Sequence, residues 1–244
     1  DITPRVTIEK KLKTLLNLTN QQNKGLFNFA HIVSHNLRSH ASNLSMLADF
    51  LFKEDKPSER KQISKLIKDS TDSLNETVIH LNEVVQVKSD VADKMIPVNL
   101  CETLKRVSNG VSADISKYDV KITTDIDENE VLNAVPAYAE SIFLNLLTNS
   151  IKYKHPDRNP EIHISATKIN KKLLIRFEDN GLGINLNKHR SKIFGMYKTF
   201  HKHKESKGIG LFITKNQIEA MAGSIEVESE VNVGTTFTMI FKTS

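Results

Sequence analysis

Apolar residues recur in steps of three and four through the first third of the chain. Ile8, Leu12, Leu15, Leu26, Phe29 and Val33 fall on one stripe, with the polar Thr19 and Gln22 at the two positions between. This spacing is a heptad seam. It continues through Leu37, Leu44, Leu47 and Leu51 until the stretch Lys53 to Ser58 breaks it. Ser58 is the expected N-cap of a second helix. That helix repeats the seam at Ile63, Leu66/Ile67, Ser70, Leu74, Thr77/Val78, Leu81 and Val84/Val85. Two long helices joined by a short loop make a hairpin with one apolar stripe each. Alone, the pair leaves too much apolar surface in water, whereas two copies close a four-helix bundle. The pattern therefore predicts a homodimer.

The pattern changes near Asp90–Pro97. Before it stand one glycine, Gly25, and two prolines, Pro4 and Pro57; after it, glycines, prolines and β-branched runs alternate. A helical hairpin followed by an α/β domain is the natural division. The second part predicts a helix over about Leu100–Ser112 and strands near Val120–Thr124 and Val131–Ala134. A strongly apolar helix follows over about Tyr138–Tyr153, then strands at Ile162–Ile169 and Leu173–Glu178. A Lys/His-rich stretch, Lys188–Lys207, separates these from a helix at about Ile209–Met221 and a hairpin of Ser224–Glu230 with Thr235–Lys242. The sum is a mixed sheet with helices on one face.

The chain has 244 residues, 39% hydrophobic and 26% charged, an ordinary globular composition able to build a core. The net charge of +5 is mild, the basic residues are spread along the chain, and Trp is absent. Nucleic-acid binding is not expected from such a distribution. No run approaches the length of a membrane span, and no signal peptide opens the chain. The single cysteine, Cys101, suits a reducing, cytoplasmic compartment and reads as a small core hydrophobe.

Three stretches carry candidate chemistry. Glu178-Asp179-Asn180-Gly181-Leu182-Gly183-Ile184 follows an apolar strand. Glycines at alternate positions allow close backbone approach, and Asp179 suits an exocyclic amine, although D-x-G-x-G alone reads more readily as a tight turn with a capping Asp. Ser206-Lys207-Gly208-Ile209-Gly210-Leu211 opens a helix, where free N–H groups can bind phosphate, although alone it reads equally as an ordinary loop-to-helix junction. On the apolar helix, Asn145, Asn149 and Lys152 are spaced to share one face. Amide oxygens there can ligate Mg²⁺, and a lysine neutralises phosphate. Two asparagines on a buried helix face need a reason, since they are poor helix formers.

In order and spacing these stretches resemble the boxes of the sensor histidine kinases of two-component signalling. N-L-L-T-N-S-I-K-Y is similar to the N box and D-N-G-L-G-I to the G1 box. Ile193-Phe194-Gly195-Met196-Tyr197-Lys198 is similar to the F box, S-K-G-I-G-L to the G2 box, and S-H-N-L-R-S, from Ser34, to the H box. The resemblance implies an antiparallel helical hairpin forming a dimeric four-helix bundle. A mixed-sheet α/β sandwich ATP-binding domain of the gyrase, chaperone and histidine kinase type follows it. The implied divisions are residues 1–20 as signalling helix or linker, 21–92 as dimerisation and phosphoacceptor hairpin, and 97–244 as catalytic domain.

The resemblance makes His35 the phosphoacceptor. Asn149 is the implied Mg²⁺ ligand with Asn145 assisting, and Lys152 and Tyr153 lie near the nucleotide. Asp179 reads adenine, Gly181 and Gly183 admit the nucleotide, and Lys207, Gly208 and Gly210 cradle phosphates. Lys198 reaches the γ-phosphate, within a lid over Lys188–Lys207. ATP and Mg²⁺ are the implied cofactors. The implied partner is a response-regulator receiver domain, whose aspartate takes the phosphoryl group and which the same core can dephosphorylate. Asp1-Ile2-Thr3 resembles the end of a PAS sensor domain, implying an upstream sensor.

Several positions depart from the family. Asn36 stands where a general-base Glu or Asp is common, and is a poor proton acceptor. Ser39 replaces a Thr or Asn used in dephosphorylation, His40 replaces a helix-bending Pro, and Ser206 replaces a glycine. His31 and His40 match no catalytic position. The pair His31–His35 lacks the Glu of H-E-x-x-H and a third ligand, which argues against a metal there. Two rivals stand beside the kinase. One is a gyrase- or chaperone-type ATPase, which needs an acid where Asn145 stands and leaves His35 unexplained. The other is a non-catalytic or phosphatase-biased dimeric scaffold that still binds nucleotide, which Asn36 favours.

Overall fold

The computed structural model describes residues 13, 33–35, 37–86, 91–195 and 208–243. The seam from Ile8 to Phe29, His31, Asn36, Lys198, Lys207 and the first three residues lie outside the described residues. The chain falls into two compact units, Asp1–Asn82 and Glu83–Ser244.

In the first unit, residues 33–35 and 37–53 are helical; the latter stretch is α1. Residues 54–56 turn the chain into α2, Pro57–Gln86. Proline is pre-set for the first helical position. The helix thus begins one residue before Ser58, which lies inside the first turn and is not its N-cap. The turn is held from within: Arg60 Nη1 donates to the Leu51 and Glu54 carbonyls, both at 2.8 Å. Leu37, His40, Leu44, Leu47 and Leu51 are half-buried along α1, as are Ile63, Ile67 and Ser70 along α2. His40 therefore lies on the packed stripe of its helix.

The second unit opens with α3 (Val91–Lys94) and β1 (Ile96–Asn99). Then come α4 (Leu100–Gly110), α5 (Ser112–Lys117), β2 (Lys121–Asp125), β3 (Val131–Ala134) and α6 (Pro136–Lys152). The rest is β4 (Glu161–Ile169), β5 (Lys172–Asp179), α7 (Leu186–His189), α8 (Gly210–Ala220), β6 (Ser224–Glu230) and β7 (Gly234–Lys242). Five strands form one sheet in the order β2-β4-β5-β7-β6, with β2 parallel to β4 and the other pairs antiparallel. A separate pair, β1 with β3, is antiparallel and aligns Val98 with Leu132.

The sheet buries one face. Ile162, Ile164, Leu173, Ile175, Phe177, Phe237, Met239 and Phe241 point inward at alternate positions, as a half-buried sheet requires. Against them pack Leu100 and Leu104 of α4, Ile142, Phe143, Leu146 and Leu147 of α6, and Ile218 of α8. The expected mixed sheet, helices covering one face, is what forms. Not every element was expected. The strand β1 occupies the boundary region near Asp90–Pro97, and α5 is a separate six-residue helix with no buried residue, lying beyond the helix expected to end near Ser112.

The β4–β5 turn places Asn170 and Lys171 at φ +50° and +59°. This is the primed turn that matches strand twist. At the end of α8, Ala222 sits at φ +58° while the Gly223 N–H reaches back to the Ile218 carbonyl at 2.9 Å. That is a Schellman close with alanine where glycine is favoured.

Candidate functional site

The site is built where α6, the end of β5 and the start of α8 meet. Asn145, Asn149 and Lys152 flank the apolar face of α6 and are half-buried. Asn145 Nδ2 donates to Thr214 Oγ1, one turn into α8, at 2.6 Å. Asn149 Nδ2 donates to Asn145 Oδ1 at 3.2 Å. This network assigns the amide orientations. Asn145 spends both ends on protein atoms and fastens α6 to α8. Asn149 commits its nitrogen to Asn145.

Gly210 is needed for this fastening. A Cβ there would run into Asn145 Oδ1 and lie 2.8 Å from its Cγ. Gly208, at φ +67°, sets the turn into the helix. The N-cap Ile209 makes no side-chain cap hydrogen bond to the first turn of α8.

Asp179 ends β5. Its Oδ1 accepts from the Gly181 N–H at 2.9 Å and its Oδ2 from Ser150 Oγ at 3.3 Å. The Ser150 hydroxyl is shared with the Leu146 carbonyl at 3.1 Å. Burial raises the pKa of Asp179; the Gly181 N–H, Ser150, the Thr235 N–H and the Arg158 charge oppose it without cancelling it.

The loop after Asp179 is fixed residue by residue. Asn180 Oδ1 accepts from the Glu161 N–H at 2.9 Å, and its Nδ2 donates to the Asn159 carbonyl at 3.0 Å. At Gly181 a Cβ would meet the Tyr153 carbonyl oxygen at 2.6 Å, and the Leu182 N–H donates to that same oxygen at 2.9 Å. Gly183 has φ +64°, and a Cβ there would strike the Glu230 main chain, 2.7 Å from its carbonyl carbon. Both glycines are thus required by the packing of the chain on itself. Lys152 stacks near Tyr153, its Nζ 6.0 Å from the ring centroid.

In the first unit, His35 and Ser39 are helical and exposed. The structure thus brings together Asn145, Asn149, Asp179, Gly181, Gly183 and Gly210, with Lys152, Tyr153 and Gly208 adjoining them in sequence. Three further residues shape the site and were not singled out from sequence: Ser150, Thr214 and Arg158. Ser150 lies within the N box, and Thr214 shares a helix face with Gly210, four residues earlier, which could have pointed to it. A cavity of about 330 Å³ opens beside Lys121, Thr123, His163 and Glu178, and no residue of α6 lines it. Among the described residues, no group of three or more His, Cys, Asp or Glu is placed to hold a metal ion. Nor, among the described residues, is any helix long and apolar enough to cross a membrane.

This geometry offers a buried carboxylate acceptor, an amide oxygen and a helix N-terminus within one folded unit. Those are the parts needed to hold a purine base and its phosphates. Residues 134–244 match the family described as histidine kinase-, DNA gyrase B-, and HSP90-like ATPase. The sensor protein RprX of Bacteroides fragilis is 28% identical over 219 residues, which cover 86% of this chain and 42% of that protein. The sensor protein kinase WalK of Staphylococcus aureus is 27% identical over 218 residues, covering 85% of this chain and 51% of that protein. The chain thus spans about half the length of these relatives.

Among solved structures, the Acinetobacter baumannii histidine kinase AdeS aligns with a TM-score of 0.67 at 17% identity, covering 86% of this chain and 98% of that one. Histidine kinase ThkA in complex with response regulator protein TrrA aligns with a TM-score of 0.68 at 19% identity, covering 89% of this chain and 61% of that one. Full-length ShkA in complex with AMPPNP aligns at 0.60 and 17% identity, covering 88% and 46%. These structural likenesses concern the fold.

Proposed function

We propose that this chain, a relative of the two-component sensor histidine kinases with their ATPase fold over residues 134–244, is an ATP-dependent protein histidine kinase. A ring nitrogen of His35 attacks the γ-phosphorus, the bond to the ADP oxygen breaks, and the displaced ring proton leaves to water. The phosphohistidine then passes its phosphoryl group to an aspartate of a response-regulator receiver domain. Catalysis is positioning and charge neutralisation, as in phosphoryl transfer generally. The observation that carries the reading is the set Asn145, Asn149 and Gly210, held by the 3.2 Å bond between the asparagines, the 2.6 Å bond from Asn145 to Thr214 and the close approach of Gly210 to Asn145, with Asp179 tied to the same helix through Ser150 at 3.3 Å.

In this reading Asp179 accepts from the adenine amine, and the first turn of α8 with Gly208 and Gly210 faces phosphate. Lys152, Tyr153, Lys198 and Lys207 surround the nucleotide. Asn149 Oδ1 is a hard oxygen ligand of the kind Mg²⁺ takes beside phosphate oxygens, so the donor set fits that ion. Bound there, the ion would neutralise phosphate charge. Residues 1–20 would link to an upstream sensor, PAS-like at Asp1-Ile2-Thr3. Residues 21–92 would form the hairpin and 97–244 the catalytic domain, in the cytoplasm. Exposed Met46, Phe50, Leu66 and Val78 on α1 and α2 supply an apolar surface that a second copy would cover in a four-helix bundle. The ThkA complex, a histidine kinase with a response regulator, supports the partner class.

A dimeric scaffold that binds nucleotide without transfer is the second reading, favoured by Asn36. Labelling with γ-labelled ATP and Mg²⁺ separates the two. Kinase activity gives acid-labile, alkali-stable label in the parent chain and none in His35→Gln or Asn149→Ala. Nucleotide binding without label in the parent refutes the kinase reading.

A further inference from the structure

Two turns face each other beside Asp179: residues 180–184 and residues 230–234. Little apolar burial holds them, since Val231 and Val233 at the second turn are exposed. Polar contacts join them instead. The Asn232 N–H donates to the Leu182 carbonyl at 2.8 Å, and the Ile184 N–H to Ser229 Oγ at 2.7 Å. Gly234 permits the approach; a Cβ there would lie 2.9 Å from the Asp179 carbonyl carbon.

One side chain spans both turns. Arg158, in the loop between α6 and β4, donates through Nε to the Asn180 carbonyl at 2.7 Å. Its Nη2 is shared among the carbonyls of Gly181 at 3.0 Å, Asn232 at 2.7 Å and Val233 at 3.0 Å. Four carbonyl oxygens converging on one point repel one another unless a cation stands between them. A planar guanidinium is suited to this and an ammonium less so. Gly181 is also the residue whose N–H holds Asp179 Oδ1 at 2.9 Å. A shift of the Gly181 peptide therefore turns the carboxylate.

We propose that Arg158 is a positioning residue for nucleotide recognition. It locks loop 180–184 onto turn 230–234 and, through Gly181, aims the Asp179 carboxylate at the exocyclic amine of adenine. This deepens the nucleotide reading above and rests on it. The loss of Arg158 then affects the amine contact and leaves the phosphate contacts of α8 in place.

The test compares ADP with purine riboside diphosphate, which carries hydrogen in place of the amine. Calorimetric titration of both is run on the full chain and on Arg158→Gln and Arg158→Lys, with a thermal melt of each. The parent is expected to prefer ADP. Arg158→Gln should lose about tenfold in ADP affinity, the order of one charge-assisted hydrogen bond. Its affinity for the amine-free nucleotide should change by less than about twofold on the same footing. Arg158→Lys should recover part of the preference. Equal losses for both nucleotides, or no loss for either, overturn the proposal. Should Arg158→Gln fail to fold, the same ratio in Arg158→Lys decides it. A parent chain that binds both nucleotides equally refutes the adenine-reading role of Asp179, and this inference falls with it.

Discussion

Gly210→Ala is predicted to change sign with its background. The new Cβ would collide with Asn145 Oδ1 and sit 2.8 Å from Cγ and 2.9 Å from Nδ2. The obstacle is the end of a side chain, so Asn145 can rotate away. Doing so breaks its 2.6 Å bond to Thr214 and its 3.2 Å bond from Asn149. At about 1 kcal/mol net for each bond, that loss is about 2 kcal/mol. Against it stands the helix preference of Ala over Gly, at most about 1 kcal/mol at a helix terminus. The net expectation is a destabilisation of about 1–2 kcal/mol, the difference of those two terms. In an Asn145→Ala background the collision and both bonds are already gone. There Gly210→Ala should be neutral or stabilising, by up to about 1 kcal/mol. Urea titration followed by far-ultraviolet circular dichroism measures all four corners of the cycle. Equal effects of Gly210→Ala in the two backgrounds would refute the claim that Asn145 fastens α6 to α8.

Three further outcomes are expected. Asp179→Asn should weaken adenine nucleotide binding by about tenfold or more, since a charged acceptor is lost, while leaving the nucleotide-free protein no less stable at pH 7; calorimetry and thermal melts check both halves. The folded-state pKa of Asp179 lies above its unfolded value. Its stability contribution is therefore full below the ordinary carboxylate pKa and lost as pH rises through the raised one. Melts of parent and Asp179→Asn across that window should diverge as pH rises, the parent falling. Finally, Ala222→Gly and Lys171→Gly, each relieving a side chain held at positive φ, should each stabilise by about 1 kcal/mol, read as a rise of a few degrees in the melt.

Much of this arrangement was legible because the chemistry is local in sequence. Asn145, Asn149 and Lys152 share a helix face by spacing alone, and the alternation Ile162-x-Ile164 or Phe237-x-Met239 sets strand faces directly. The strand β1 was not legible, since it contains Pro97 and only Val98 of its residues is buried. Its existence depends on β3, more than 30 residues later. The helix α5 has no fully buried residue and only Ile115 packed against the core, too little to leave a periodic trace. Arg158 was not legible for a different reason. Its partners are main-chain carbonyls, which carry no sequence signal, and two of them lie more than 70 residues away. The glycines were read as openings for a ligand. The structure gives Gly181 and Gly183 a prior obligation, to let the chain approach Tyr153 and Glu230.

That obligation changes how the site should respond to its ligand. Asp179 is buried at a net cost: desolvation outweighs the donors that face it. The folded unit carries this cost because Gly181, Ser150 and the Arg158 clamp hold the carboxylate in place before any ligand arrives. A base that donates to Asp179 adds a further partner to the charged form and relieves part of that cost, so affinity and pKa are linked. Binding of an adenine nucleotide should therefore lower the pKa of Asp179 and flatten the fall of stability with rising pH, beyond the uniform gain that any ligand gives by mass action. Melts across pH with saturating ADP measure the slope. An unchanged slope, with the stability merely offset, would mean that the nucleotide leaves the carboxylate untouched and that adenine is read elsewhere.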